Sequence, residues 1–204
     1  MGKVDTNKKL KESSLLKTAF EFFTTKGFSK TSITDIVSKA GVAKGTFYLY
    51  FKDKYDIRNK LVSHKSSLLF KTALNELGSE LDDIPFEDKI IKIVDNIVNQ
   101  LNNNQSLLTF ISKNLSWGIF KNAITSPVSE DDINFAEVYY NMLEESPNGF
   151  RDPEIMLFMI IELVSSTCYS AILYKEPCSL DKLKPYLYDS IRLIISQHEL
   201  KGEK

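Results

Sequence analysis

The stretch Lys44-Gly45-Thr46-Phe47-Tyr48-Leu49-Tyr50 gathers side chains suited to contacting a nucleic acid. A Lys ammonium donates to phosphate oxygens or to the acceptors of guanine. Thr offers base edges a hydroxyl and a methyl group, and Gly lets the backbone come close. Tyr48 and Tyr50 carry phenols able to reach phosphate oxygens. Lys52 and Lys54 follow at the start of a long helical stretch, where free backbone N–H groups also favour phosphate. Bond-making chemistry is poorly served by comparison. The chain holds two His, His64 and His198, and two Cys, Cys168 and Cys178. They assemble no Ser/His/Asp or Cys/His set and no metal-ligand spacing, and no GxxxxGK phosphate loop occurs. The expectation is a protein without catalytic site, metal or cofactor.

Recognition residues need elements to hold them. Leu16, Ala19, Phe20 and Phe23 recur at helical spacing, which predicts a helix closed by Lys26-Gly27. Ser32 with Asp35 predicts a capped short helix to Ala40. Gly41 breaks it, and Lys44 to Tyr50 forms a second short helix. Two short helices around a tight glycine turn make a helix-turn-helix, whose second helix enters the major groove N-terminus first. Phe47 and Phe51 read as core of this small unit. Lys52-Asp53-Lys54 opens a long helix to about Leu77, where Gly78 stops it.

Charge points the same way. The net charge is −1, but residues 1–60 carry 13 Lys and Arg against 6 Asp and Glu, while residues 61–204 carry 13 against 21. A basic head on an acidic body suggests a polyanionic partner for the head alone.

The rest of the chain predicts further helices and no strand. They run from Phe86 to about Leu101, over 105–120, 130–145 and 153–174, and from Ser179 to about Glu199, making nine helices in all. Phe110, Asn114 and Trp117 share a helix face, as do Tyr139 and Met142 on the next helix. Such a set either lines an apolar pocket or is plain core. Glu162 interrupts the apolar run Ile155 to Val164. Its carboxylate belongs at a wet interface rim, paired across the interface, or in a pocket, where it would favour a cation. Leu183, Leu187, Ile191, Ile194 and Ile195 give the last helix a broad apolar face, fit for core on one side and a partner helix on the other.

The segment Thr31 to Lys54, TSITDIVSKAGVAKGTFYLYFKDK, resembles the N-terminal domain of the TetR/AcrR family of bacterial transcriptional regulators. The upstream Ala19-Phe20-x-x-Phe23-x-x-x-Gly27-Phe28 is similar to that family's first helix. The likeness covers roughly residues 8–65, and Val37 stands where the family usually has Ala. The resemblance implies an all-α regulator with a DNA-binding domain at 1–53, its motif at about 32–51, and an effector-binding and dimerisation domain at 54–204. It implies a homodimer on a palindromic double-stranded operator, most often as a repressor. A small effector in the body would move the long helix and spread the two recognition helices. Matching positions for DNA contact are Ser32, Thr34, Lys44, Gly45, Thr46, Tyr48, Tyr50 and Lys54. Candidate effector contacts are Phe110, Asn114, Trp117, Tyr139, Met142 and Glu162, with a mostly apolar ligand expected. The dimer contacts expected are Leu183, Leu187, Ile191 and Ile195. A regulator without an effector remains the alternative, and an enzyme with its site in the body a remote one.

Met1 to Ser14 is polar and Lys-rich with no apolar segment behind it, and the run Ile155 to Ile161 is too short to span a bilayer. The expectation is a cytoplasmic protein with no membrane partner.

Overall fold

The structure is a computed structural model that describes residues 3–114, 118 and 134–200. Among them are nine α-helices and no strand: α1 (Lys3–Thr25), α2 (Ile33–Ala40), α3 (Lys44–Tyr48), α4 (Lys54–Leu77), α5 (Phe86–Asn103), α6 (Gln105–Asn114), α7 (Phe135–Glu144), α8 (Pro153–Leu173) and α9 (Leu180–His198). A 3-10 turn, Gly78–Leu81, follows α4. The expected all-α fold is observed. The expected helix over 105–120 is described to Asn114, and the one over 130–145 from Phe135.

Local chemistry sets the head's boundaries. Ser32 caps α2 in a full capping box: its hydroxyl accepts from the Asp35 N–H at 3.1 Å, and the Asp35 carboxylate accepts from the Ser32 N–H at 2.9 Å. Those bonds, led by the Ser32 backbone N–H, hold the Asp35 carboxyl below the usual carboxylate range. Gly41 ends α2 at φ 69°, a left-handed conformation that favours glycine. Asp53 caps α4 by accepting from the N–H groups of Tyr55 and Asp56 at 2.7 and 2.9 Å. Asp152 and Ser179 occupy the N-cap positions of α8 and α9, but neither side chain makes a capping bond.

Leu15, Ala19 and Phe23 of α1 pack with Ile36 and Val37 of α2 and with Phe47 and Phe51. Val37 is thus accommodated inside the motif. Ile57, Leu61 and Val62 of α4 and Phe110 and Ile111 of α6 complete the same core. The body has its own core, in which α5, α8 and α9 supply most of the residues, among them Ile90, Val98, Met156, Ile160, Leu187, Ile191 and Ile195. The end of α9 is pinned to the start of α8: the Arg151 N–H donates to the His198 carbonyl and the Leu200 N–H to that of Gly149, both at 2.8 Å. Cys168 and Cys178 are free thiols, and burial pushes Cys168 up to about 11, so it stays protonated and inert.

Helix α8 is long and apolar enough, by length and composition, to cross a membrane, with a mean hydropathy of 1.8. Counting the unbroken run to Ile161 missed this, because Glu162 interrupts the run without lowering the helix average far. Here one side of α8 packs in the body while Ile155, Phe158 and Met159 lie exposed.

Candidate nucleic-acid interface and body chamber

The recognition residues sit on a stiff aromatic base. Phe47 and Phe51 are fully buried, their rings 5.4 Å apart. With those two facing inward, Lys44, Gly45, Tyr48 and Leu49 face out and are exposed. Ser32 and Thr34 at the start of α2 are exposed beside them, while Thr46 and Tyr50 are half-buried. Six of the eight expected DNA-contact positions therefore lie on one unit formed by α2 and α3. Tyr50 lies just past α3, and its side chain packs on the head core. Its carbonyl accepts from the Lys60 ammonium at 2.9 Å.

A methyl group at Gly45 would meet no atom within 4 Å. Folding therefore places no demand for glycine there. Leu49, 77% exposed, was not among the expected contacts. Its signal lay in the pattern: it sits just past α3, two residues from both Phe47 and Phe51, whose side chains turn inward.

Lys54 has partners inside the head. Its ammonium donates to the carbonyls of Phe28 and Thr31, both at 2.9 Å, and lies 4.4 Å from the centre of the Phe28 ring. It ties the start of α4 to the chain between α1 and α2. Lys60 reaches back from α4 to Tyr50, and Lys65 lies 4.7 Å over the Phe20 ring. Helix α4 is thus tied to the head at three lysines. Losing the Lys54 charge-assisted bonds costs about 1.5–3 kcal/mol. Lys54→Ala is expected to lower Tm by roughly 3–10 °C. It is also expected to leave the salt dependence of DNA binding unchanged. A slope reduced by about one, with Tm unmoved, would instead make Lys54 a phosphate contact.

The body holds an apolar chamber of about 180 Å3 between α4, α5, α6, α7 and α8. Tyr139 and Met142 line it, as do Phe70, Ile93 and Leu157. The other expected pocket residues are elsewhere. Phe110 is in the head core, its ring edge-on to Phe20 at 5.3 Å. Asn114 donates to the Phe110 carbonyl at 2.7 Å. Both border a separate, more polar cleft against the end of α1. Glu162 is exposed and does not line the chamber. Trp117 lies outside the described residues. Sequence reasoning missed Ser67 and Phe70 because α4 read only as a connector.

The expected dimer contacts also separate. Leu187, Ile191 and Ile195 are spent on the protomer's own core, and Leu183 is half-buried. On α8 and α9 the exposed large apolar side chains are Ile155, Phe158, Met159, Tyr186 and Leu193.

An exposed recognition helix, backed by a capped partner helix and a glycine turn, defines a helix-turn-helix DNA-binding protein. Residues 15–61 match the family described as "Bacterial regulatory proteins, tetR family". The HTH-type transcriptional regulator YdgC of Bacillus subtilis is 30% identical over 178 residues, 81% of this chain and 84% of that one. The chain belongs to the TetR family of transcriptional regulators. YvdT of the same organism, also an HTH-type regulator, is 43% identical over a shorter stretch, 36% of this chain. This chain spans only 32% of that relative's length, and 15% and 23% of two further relatives, YerO and YuxN. In fold, the chain is similar to the transcriptional regulator FadR from Bacillus subtilis, solved in complex with stearoyl-CoA. The TM-score is 0.63 at 18% identity, covering 90% of this chain and 97% of that one.

Proposed function

We propose that this chain is a cytoplasmic homodimeric repressor that leaves a palindromic operator when a small, mostly apolar effector fills the body chamber. One observation carries the reading. Helix α4 supplies Ile57, Leu61 and Val62 to the head core, and Ser67 and Phe70 to the chamber wall. A ligand that shifts α4 at one end shifts the head at the other.

The reading divides the chain into a DNA-binding domain, 1–53, and an effector and dimerisation domain, 54–204. Ser32, Thr34, Lys44, Gly45, Thr46 and Tyr48 meet DNA, joined by Leu49. Tyr139 and Met142 meet the effector. The dimer forms over Ile155, Phe158, Met159, Tyr186 and Leu193, with Glu162 at its rim. The chain has no catalytic role in this account. An effector as long as the stearoyl chain that FadR carries fits poorly, since about 180 Å3 holds far fewer than eighteen carbon atoms.

Linkage supplies the test. Tenfold weaker operator binding needs about 1.4 kcal/mol of ligand preference for the released state, and by reciprocity the operator weakens the ligand tenfold. Titrating small apolar compounds into the protein, with and without operator duplex, is expected to give Kd values that differ by that same factor. Equal Kd values would make the chamber a binding site without a switch.

A further inference from the structure

Ser67 stands out on the chamber wall. It is 8% exposed, and its hydroxyl has no hydrogen-bond partner. A buried hydroxyl left unpaired is a cost the fold does not need, since alanine would fill the place without one. Besides Ser67, the wall carries the hydroxyls of Ser66, Tyr139 and Ser165, and the last two are bonded. The Tyr139 hydroxyl donates to the Pro153 carbonyl at 2.8 Å, and the Ser165 hydroxyl to that of Glu162 at 3.3 Å. None of the described lining residues carries a charge.

On the effector reading above, we infer that the chamber takes a neutral molecule with a single hydrogen-bonding group, and that Ser67 Oγ is the residue that selects for it. Size follows from volume. An apolar cavity of about 150 Å3 holds benzene, so about 180 Å3 holds roughly seven or eight non-hydrogen atoms, a ring with one short polar substituent. Charge follows from the lining: a carboxylate or ammonium would enter without a counter-ion, and the loss of its hydration would exclude it. Rotation of Ser67 about χ1 between staggered wells presents the hydroxyl to the ligand. Because Ser67 lies on α4, the same bond that selects the ligand grips the helix that carries the head.

Calorimetric titration of the full-length protein with benzyl alcohol, toluene and benzoate tests this. Toluene and benzyl alcohol share a ring, and only the alcohol can bond Ser67. Their intrinsic hydration differs, so the informative quantity is the ratio of their Kd values in the wild type against Ser67→Ala. We expect Ser67→Ala to weaken benzyl alcohol about five- to tenfold, the worth of one neutral hydrogen bond, while toluene binds as well or better. Benzoate is expected not to bind. A ratio unchanged by the substitution would overturn the role of Ser67 while leaving the chamber a site, and benzoate binding as well as benzyl alcohol would overturn the neutral class. If none of the three binds the wild type, the chamber itself fails as a site and this inference with it. Ser67→Cys, which keeps the side-chain shape with a weaker donor, is expected to fall between wild type and Ser67→Ala, and serves if the alanine variant folds poorly.

Discussion

Ile191→Asp is expected to leave the protein unfolded, and Leu193→Asp to leave it folded but monomeric, although the two positions are neighbours on one helix. Ile191 is 0% exposed within the protomer and Leu193 is 72% exposed. An aspartate at 191 loses the packing of a core isoleucine, about 2–5 kcal/mol, and adds a buried charge without a partner. That sum approaches the 5–15 kcal/mol by which a domain of this kind is stable. At 193 the protomer is little affected, within about 0.5 kcal/mol. The loss falls on association, where a buried charge in an apolar interface costs several kcal/mol, or more than a hundredfold in dimer affinity. Circular dichroism and light scattering separate the outcomes. A Leu193→Asp protein that remains a dimer at micromolar concentration would move the interface away from α8 and α9.

Gly45→Ala is expected to abolish most operator binding without harming the fold. The added methyl meets nothing in the free protein, and alanine is the better helix former by about 1 kcal/mol. Tm should therefore hold or rise slightly. Against DNA, the same methyl stands between α3 and the groove, and a loss of tenfold or more corresponds to about 1.4 kcal/mol. Fluorescence anisotropy with a labelled operator, beside a melting curve, gives both numbers. Unchanged affinity would show that Gly45 does not approach the DNA.

The head was the most legible part of the sequence because its determinants are local. Ser32 and Asp35 are three residues apart, Gly41 acts on its own φ, and Phe47 and Phe51 lie one helical turn apart. The start of α4 was legible for the same reason, through Asp53. What failed to show was which neighbour a side chain would meet at long range. Lys54 reads as an exposed cation by type and position, and nothing local reveals that two carbonyls, 23 and 26 residues earlier, fold back within 2.9 Å of it. Phe110 and Asn114 share a helix face as expected, but packing turns that face toward α1 and away from the chamber. On α8 and α9 the difficulty is different. Both faces are apolar, so periodicity finds the helices without telling core from interface, and Leu187, Ile191 and Ile195 look the same in sequence as Leu193. Ser67 was hidden because a lone serine on a long helix is ordinary until its surroundings are known.

The central claim is that two α3 helices, one per protomer of a symmetric dimer, read one palindromic duplex. The direct measurement is binding to DNA from upstream of the chain's own gene, first as found and then with five base pairs inserted between the half-sites. Two recognition helices on a two-fold dimer span about 34–36 Å, one turn of the duplex. Five extra base pairs turn the second half-site to the opposite face. Binding is expected to be lost to the non-specific level. Affinity unchanged by the insertion would contradict the claim.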